Sequence, residues 1–282
     1  MTAPFATPPV ALTIAGVDSG GAAGVAADLG TFQAHGVYGA LAVTALTAQD
    51  TKGVHGVHPC PAEFVRDQIT VVIGDLSVRA AKSGMLANLA IVEVVTALAA
   101  SGALPPLVVD PVMVASSGDP LLEGDAVGAY RGLIAHALIV TPNLPEAALL
   151  VGGEVGDLDS MSDAARALGE LGPALVVVKG GHLLLGHGAT APEAIDVVWD
   201  GNAITILRGP AVMTENVHGS GCTLSAAITA HLALGAAPID AVVAAKDYVG
   251  RAIAGSASWQ LGQGHGPLDR LFTQVRAVPP PT

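Results

Sequence analysis

The stretch Ala174-Leu175-Val176-Val177-Val178-Lys179-Gly180-Gly181 reads as a strand buried on both faces, ending in a lysine and two glycines. Its unbroken apolar run leaves no polar side for solvent, which is the pattern of a parallel strand covered by helices above and below. Residues 163–171, just before it, have helical spacing. Working outward, short β-rich runs alternate with helical segments almost throughout. Strands are predicted over 10–15, 40–45, 54–57, 79–83, 107–110, 138–141 and 174–179, with a hairpin of 195–199 and 203–207 about Asp200-Gly201-Asn202. Helices are predicted over 25–35, 61–73, 89–100, 163–171, 223–234 and 239–254. The alternation implies an α/β fold with a mostly parallel central sheet, and 54–57 reads as a strand in a small β flap. No repeat or long linker divides the chain. It reads as one domain over 1–282, with loose termini expected at 1–9 and 277–282.

Composition narrows the function classes. Hydrophobic residues make up 51% and charged residues 13% of the 282, so a large core is available and disorder is excluded. Only 3% are aromatic, so Ala, Val and Leu must fill the layers. Twelve basic against 24 acidic residues give a net charge of −12, which argues against a nucleic-acid partner. An anionic substrate then has to be held locally, by backbone N–H groups, a lysine or a metal. The mean hydropathy of +0.57 raises the question of a membrane. However, the least charged stretch, 216–239, is interrupted by His218, Gly219, Gly221, His231 and Pro238, so a buried helix is expected and no membrane span. No lysine or arginine precedes Lys52, and Cys60 and Cys222 make neither a disulfide framework nor a zinc pattern. The expected location is cytoplasmic.

Five segments carry candidate chemistry. In His218-Gly219-Ser220-Gly221-Cys222, two glycines let backbone N–H groups turn toward a ligand, and the helix that follows adds positive potential. Together they suit the γ-phosphate of a nucleotide. Cys222 sits where a helix N-terminus lowers a thiol pKa from about 8.5, and a thiolate there accepts a proton from a substrate hydroxyl. The alternative is a glycine-bounded helix start with a small buried cysteine. Asn143 and Glu146, three apart after a strand end, either organise water around Mg²⁺ or form a capping box. Lys179 requires an anionic partner, either phosphate or a structural carboxylate. Asp110, in Asp110-Pro111-Val112-Met113, reaches a metal or phosphate, or braces a turn. The loop from Ala15 to Gly24 has no G-x-G-x-x-G pattern. It reads as a close-approach loop for a small substrate or a plain strand-to-helix turn. Asp28 in the next helix is a solvated residue or a substrate contact, and His182 is a loop histidine.

Taken in order, these segments resemble the hydroxymethylpyrimidine and phosphomethylpyrimidine kinases of thiamine biosynthesis, a branch of the ribokinase-like fold. The resemblance also runs through Leu12-Thr13-Ile14-Ala15-Gly16, Ala27-Asp28-Leu29, Thr44-Ala45-Leu46-Thr47-Ala48-Gln49, Lys82-Ser83-Gly84-Met85-Leu86, Ser117-Gly118-Asp119-Pro120-Leu121-Leu122 and Gly264-His265-Gly266-Pro267. It implies a three-layer sandwich, ATP and Mg²⁺ as cofactors, and a homodimer. It further implies that Cys222 occupies the catalytic position, that Gly219, Ser220 and Gly221 form the anion hole, and that Lys179 lies near the transferred phosphate. Gln49 would bind the aminopyrimidine, with Met85, Val112, Thr47 and Ala23 walling the ring and Asp28 assigned to the same pocket. Glu146, Asn143 and Asp110 would organise metal and phosphate. The chain departs from the family pattern at Ala22, Ala26, Gly30, Ser116, Val217 and Ser220. The implied reaction phosphorylates 4-amino-5-hydroxymethyl-2-methylpyrimidine and then its monophosphate. The alternatives are a pyridoxal kinase on the same fold, a non-catalytic pyrimidine-binding protein and a thiol hydrolase.

Overall fold

The computed structural model describes residues 7–113, 126–181 and 193–272. A nine-stranded sheet runs through it. Its centre is parallel: β2 (Tyr38–Gln49), β1 (Val10–Asp18), β4 (Val78–Ser83), β5 (Leu107–Val109), β6 (Ile139–Val140) and β7 (Leu175–Lys179), side by side in that order. One edge is closed by β3 (Val54–Pro59), antiparallel to β2, and the other by the hairpin β8 (Glu193–Trp199) and β9 (Ile204–Pro210). The expected flap is therefore an exposed ribbon on the edge of the main sheet.

Side chains alternate across the strands and meet helices on both faces, as the apolar runs require. Leu12 and Ile14 of β1 and Val176 and Val178 of β7 face one layer. That layer holds α2 (Ala62–Asp75), α3 (Leu89–Ala100), α4 (Ala126–Ile134), α5 (Leu144–Val151) and α6 (Leu158–Gly169). Ala11, Leu175 and Val177 face the opposite layer of α1 (Gly24–Ala34), α7 (Ser220–Ala233) and α8 (Pro238–Ser256). Helix α7 is buried nearly all round, and Ala226, Ala227, Ala230 and Ala233 let it lie close to the sheet. Among the described residues, no helix is long and apolar enough to cross a membrane.

The chain leaves β1 for β2 on one side and returns to β4 on the other. That reversal opens a crevice at the carboxyl ends of β1 and β4, where open α/β sheets bind ligands. Several boundaries differ from expectation for local reasons. β1 continues to Asp18 through an irregularity at Ala15/Val17, because its pairing with β2 runs on to Asp18 while that with β4 ends at Ile14. α5 follows directly on the end of β6, with Asn143 as its N-cap and a proline in its first turn. α6 starts at Leu158 because Asp157 caps it. α4 has no strong start signal in the sequence, and its beginning adjoins residues outside the description. The Ser117–Leu122 segment, Ser116, His182 and the tail after 272 also lie outside the described residues.

Candidate active site

The crevice is a cavity of about 830 Å³. It is lined by Cys222, Gly219, Ser220, Gly221, Lys179, Gln49, Met85, Val112, Thr47, Ala23, Glu146, Asn143 and Asp110. Of the residues singled out from sequence, Asp28 alone does not reach it.

One end is built by the strand β1 and the loop after it. Asp18 accepts hydrogen bonds from the N–H groups of Gly20, Ala22 and Ala23 at 2.7, 3.0 and 2.8 Å. Burial acts to raise its pKa, but those donors and His218 hold the carboxyl below its ordinary range. His218 Nε2 lies 3.2 Å from Asp18 Oδ2 and 3.3 Å from Gln49 Nε2. Thr47 donates to Gln49 Oε1 at 3.1 Å, so the amide is oriented at the end of β2. Met85 forms another wall, its carbonyl held by Thr44 Oγ1 at 2.6 Å.

The other part is the helix start. Gly219 has φ +83°, and a Cβ there would overlap the Ala22 carbonyl oxygen, so only glycine permits this approach. A Cβ on Gly221 would lie 3.2 Å from Lys179 Nζ, which puts the lysine against the phosphate cradle. Lys179 donates to Asp110 Oδ1 at 2.9 Å, while Ser225 donates to the other oxygen at 3.1 Å. Burial opposes the charge on Asp110, but Lys179 and Lys82 keep its pKa below the usual range. The structural carboxylate partner of Lys179 is thus present alongside the open cavity.

Asn143 and Glu146 form the complete capping box, with bonds of 2.8 and 2.9 Å. They nevertheless line the cavity. Glu146 is buried, and burial lifts its pKa to about 7, against the opposing pull of Lys179. Cys222 departs from the expected lowered pKa. It is half-buried at the helix start, where desolvation pushes the thiol up to about 11 and outweighs the attraction of Lys82.

Asp28 is fully buried behind this wall. It accepts from Lys82 Nζ at 2.8 Å and Thr13 Oγ1 at 2.6 Å. The pocket role assigned to it does not hold, because both carboxylate oxygens serve the core. Burial opposes a charge on Lys82, but Asp28 overcomes this and keeps the ammonium protonated.

The family model for phosphomethylpyrimidine kinase matches residues 18–269, which takes in all of this architecture from the end of β1 onward. The chain belongs to that family. A hydroxymethylpyrimidine/phosphomethylpyrimidine kinase of Rhizobium meliloti (strain 1021) is 48% identical over 262 residues, covering 92% of this chain and 96% of the relative. Among solved structures, the ADP complex of Bacillus subtilis pyridoxal kinase superposes with a TM-score of 0.84 at 37% identity, covering 94% of this chain and 98% of that one. Phosphomethylpyrimidine kinase from Clostridium difficile 630 gives 0.75 at 39% identity, over 87% of this chain and 99% of that one. The fold is therefore the ribokinase-like α/β sandwich, and the enzyme is a phosphotransferase of the phosphomethylpyrimidine kinase family.

In this phosphomethylpyrimidine kinase family member, five polar side chains at or behind the site had no role assigned from sequence. Asp18 and His218 stood inside quoted segments. Lys82 carried the same signal as Lys179, a charge at the end of an apolar strand, and its pairing needed the fold. The Asp196–Lys246 ion pair, 2.6 Å, joins β8 to α8 across the far half of the cavity. Mg²⁺ can be tested against the donors present. Among the described residues, no group of three or more His, Cys, Asp or Glu side chains could hold a metal ion. Asp110 and Glu146 do face the cavity, and the raised pKa of Glu146 marks a buried carboxylate short of positive charge. That set fits a hard cation held mainly by water and phosphate oxygens.

Proposed function

We propose that the enzyme transfers the γ-phosphoryl group of ATP to the hydroxymethyl group of 4-amino-5-hydroxymethyl-2-methylpyrimidine, and then phosphorylates the monophosphate to the diphosphate. The observation that carries this reading is the placement of Gln49 and the Gly219–Cys222 turn on one cavity. An oriented amide offers a donor and an acceptor to an aminopyrimidine edge. Beside it, the cradle presents backbone N–H groups at a helix start. The match to curated pyrimidine kinases supports the same acceptor.

Thr47, Met85, Val112 and Ala23 enclose the ring, while Ser220 and Gly221 hold the moving phosphoryl group. Lys179 offsets its charge. The nucleotide occupies the half bounded by Leu207, Val212, Val243 and Ala254. Asp110, Glu146 and Asn143 would organise Mg²⁺ and its waters, and the ion when bound would neutralise phosphate charge. Cys222 is a neutral thiol at pH 7 and acts by orienting the acceptor hydroxyl. Where bond breaking to the leaving group runs ahead of bond making, early proton removal contributes little. The proton leaves with the phosphorylated product.

One unit carries both halves of the site, so the chain acts as a single catalytic domain. The active form is a homodimer: Leu41 and Leu46 of β2, Val57 of β3 and Phe64 of α2 expose apolar surface on one edge of the sheet. Light scattering of the purified chain tests this, and a monomer at all concentrations contradicts it.

A pyridoxal kinase is the competing reading, favoured by the superposition on the Bacillus subtilis enzyme. ADP release with hydroxymethylpyrimidine, its monophosphate and pyridoxal offered side by side separates the two. Turnover of both pyrimidines supports the proposal. Turnover of pyridoxal alone refutes it.

A further inference from the structure

Arg270 lies one residue beyond the stretch that matches the family and does not line the cavity. Its guanidinium nevertheless touches both halves of the site. Nη2 donates to the Ala22 carbonyl, and Nε donates to Thr223 Oγ1 at 3.1 Å. Thr223 in turn donates to the Gly219 carbonyl at 2.8 Å. The N–H of that same Ala22–Ala23 peptide, which belongs to Ala23, is already held by Asp18 at 2.8 Å, so Arg270 completes the fixation of that peptide. The arginine is itself well anchored. Tyr248 donates to its carbonyl at 2.6 Å, and the Asp269 N–H donates to Ala252 at 3.1 Å. Upstream, the His218 N–H donates to Gly266 at 3.1 Å, so the same segment also touches the turn that bears the cradle. Gly30 of α1 sits beside the arginine stem, since a Cβ there would be in ordinary contact with Arg270 Cδ at 3.9 Å.

We infer that Arg270 is a positioning residue that clamps the loop of Ala22 and Ala23 to the first turn of α7, fixing the pyrimidine wall against the phosphate cradle. The inference rests on the pyrimidine-kinase reading for its kinetic consequence, but not for its structural one. A half-buried cation bonded to a backbone carbonyl and a hydroxyl spans two elements that no covalent link keeps in register. Losing it lets the ring wall move relative to the site of transfer.

The test uses the full chain with Arg270→Met, Arg270→Lys, Thr223→Val and the Met/Val double variant. In ligand-free protein, amide exchange of residues 20–24 should accelerate in Arg270→Met and Thr223→Val. In kinetics, Arg270→Met should raise the KM for hydroxymethylpyrimidine about tenfold, the size of a lost charge-assisted hydrogen bond. The KM for ATP should stay unchanged, and Arg270→Lys should recover part of the loss. The double variant should equal Arg270→Met alone, because the two changes remove one shared contact. Wild-type exchange rates in both single variants, or fully additive kinetic effects, overturn the clamp. If Arg270→Met does not fold, Thr223→Val decides alone: faster exchange at 20–24 supports the clamp, and an unchanged rate overturns it. A wild-type enzyme that ignores pyrimidines refutes the functional reading, while the exchange result still judges the clamp.

Discussion

Asp28 and Lys82 form a 2.8 Å ion pair in which neither side chain has any solvent exposure. The pair ties α1 to β4 immediately behind the cavity wall, since a Cβ on Gly84 would lie 3.6 Å from Lys82 Nζ. Breaking such a pair leaves an uncompensated buried charge. Lys82→Met should therefore lower unfolding free energy by about 3–5 kcal/mol in urea titrations. The double change Asp28→Leu with Lys82→Met should be much milder. Equal losses in the single and double variants would contradict the pairing.

Glu146 should make stability depend on pH in an unusual direction. Its carboxyl titrates near 7 in the folded chain against an ordinary value of 4.5. The folded state then binds the proton more tightly, so stability from this group falls as pH rises from 4.5 to 7 and is level above. Glu146→Gln keeps the capping box and removes the titration. Its stability relative to wild type should rise across that window by on the order of 3 kcal/mol. A constant difference would show that Glu146 is ionised throughout.

Cys222 should behave as an unreactive thiol at neutral pH. In a Cys60→Ser background without ligands, iodoacetamide labelling should rise about tenfold per pH unit from about pH 8 to 10, following the thiolate fraction. A rate already level at neutral pH would restore the thiolate base. Cys222→Ala should keep measurable turnover with an unshifted pH profile. Loss of one limb of that profile would contradict a purely orienting role.

Gln49 should govern acceptor affinity. Gln49→Met should raise the KM for hydroxymethylpyrimidine about tenfold, because a paired donor and acceptor are lost, and leave the KM for ATP alone. The opposite pattern would place the nucleotide, and not the pyrimidine, at this end of the cavity.

Much of this was legible in the sequence because the informative signals were local. The run from Ala174 to Lys179 read as a strand covered on both sides, and the glycines beside Cys222 as either a close approach to a ligand or a plain helix start. Residues whose meaning depends on distant partners were not legible. Asp28 looked like a pocket residue until Lys82, 54 positions away, took its oxygens. Arg270 reaches Ala22 across 248 positions, and no spacing rule reports such a contact. The direction of the Cys222 shift failed for a related reason. Helix position is read from neighbours, whereas desolvation is set by the walls the whole fold places around the sulfur.

Product analysis after incubation with ATP and hydroxymethylpyrimidine tests the central claim most directly. Phosphorus NMR should show the monophosphate rising first and the pyrimidine diphosphate accumulating after it, with ADP released at each step. An unchanged pyrimidine, beside rapid conversion of pyridoxal to its phosphate under the same conditions, would contradict the account.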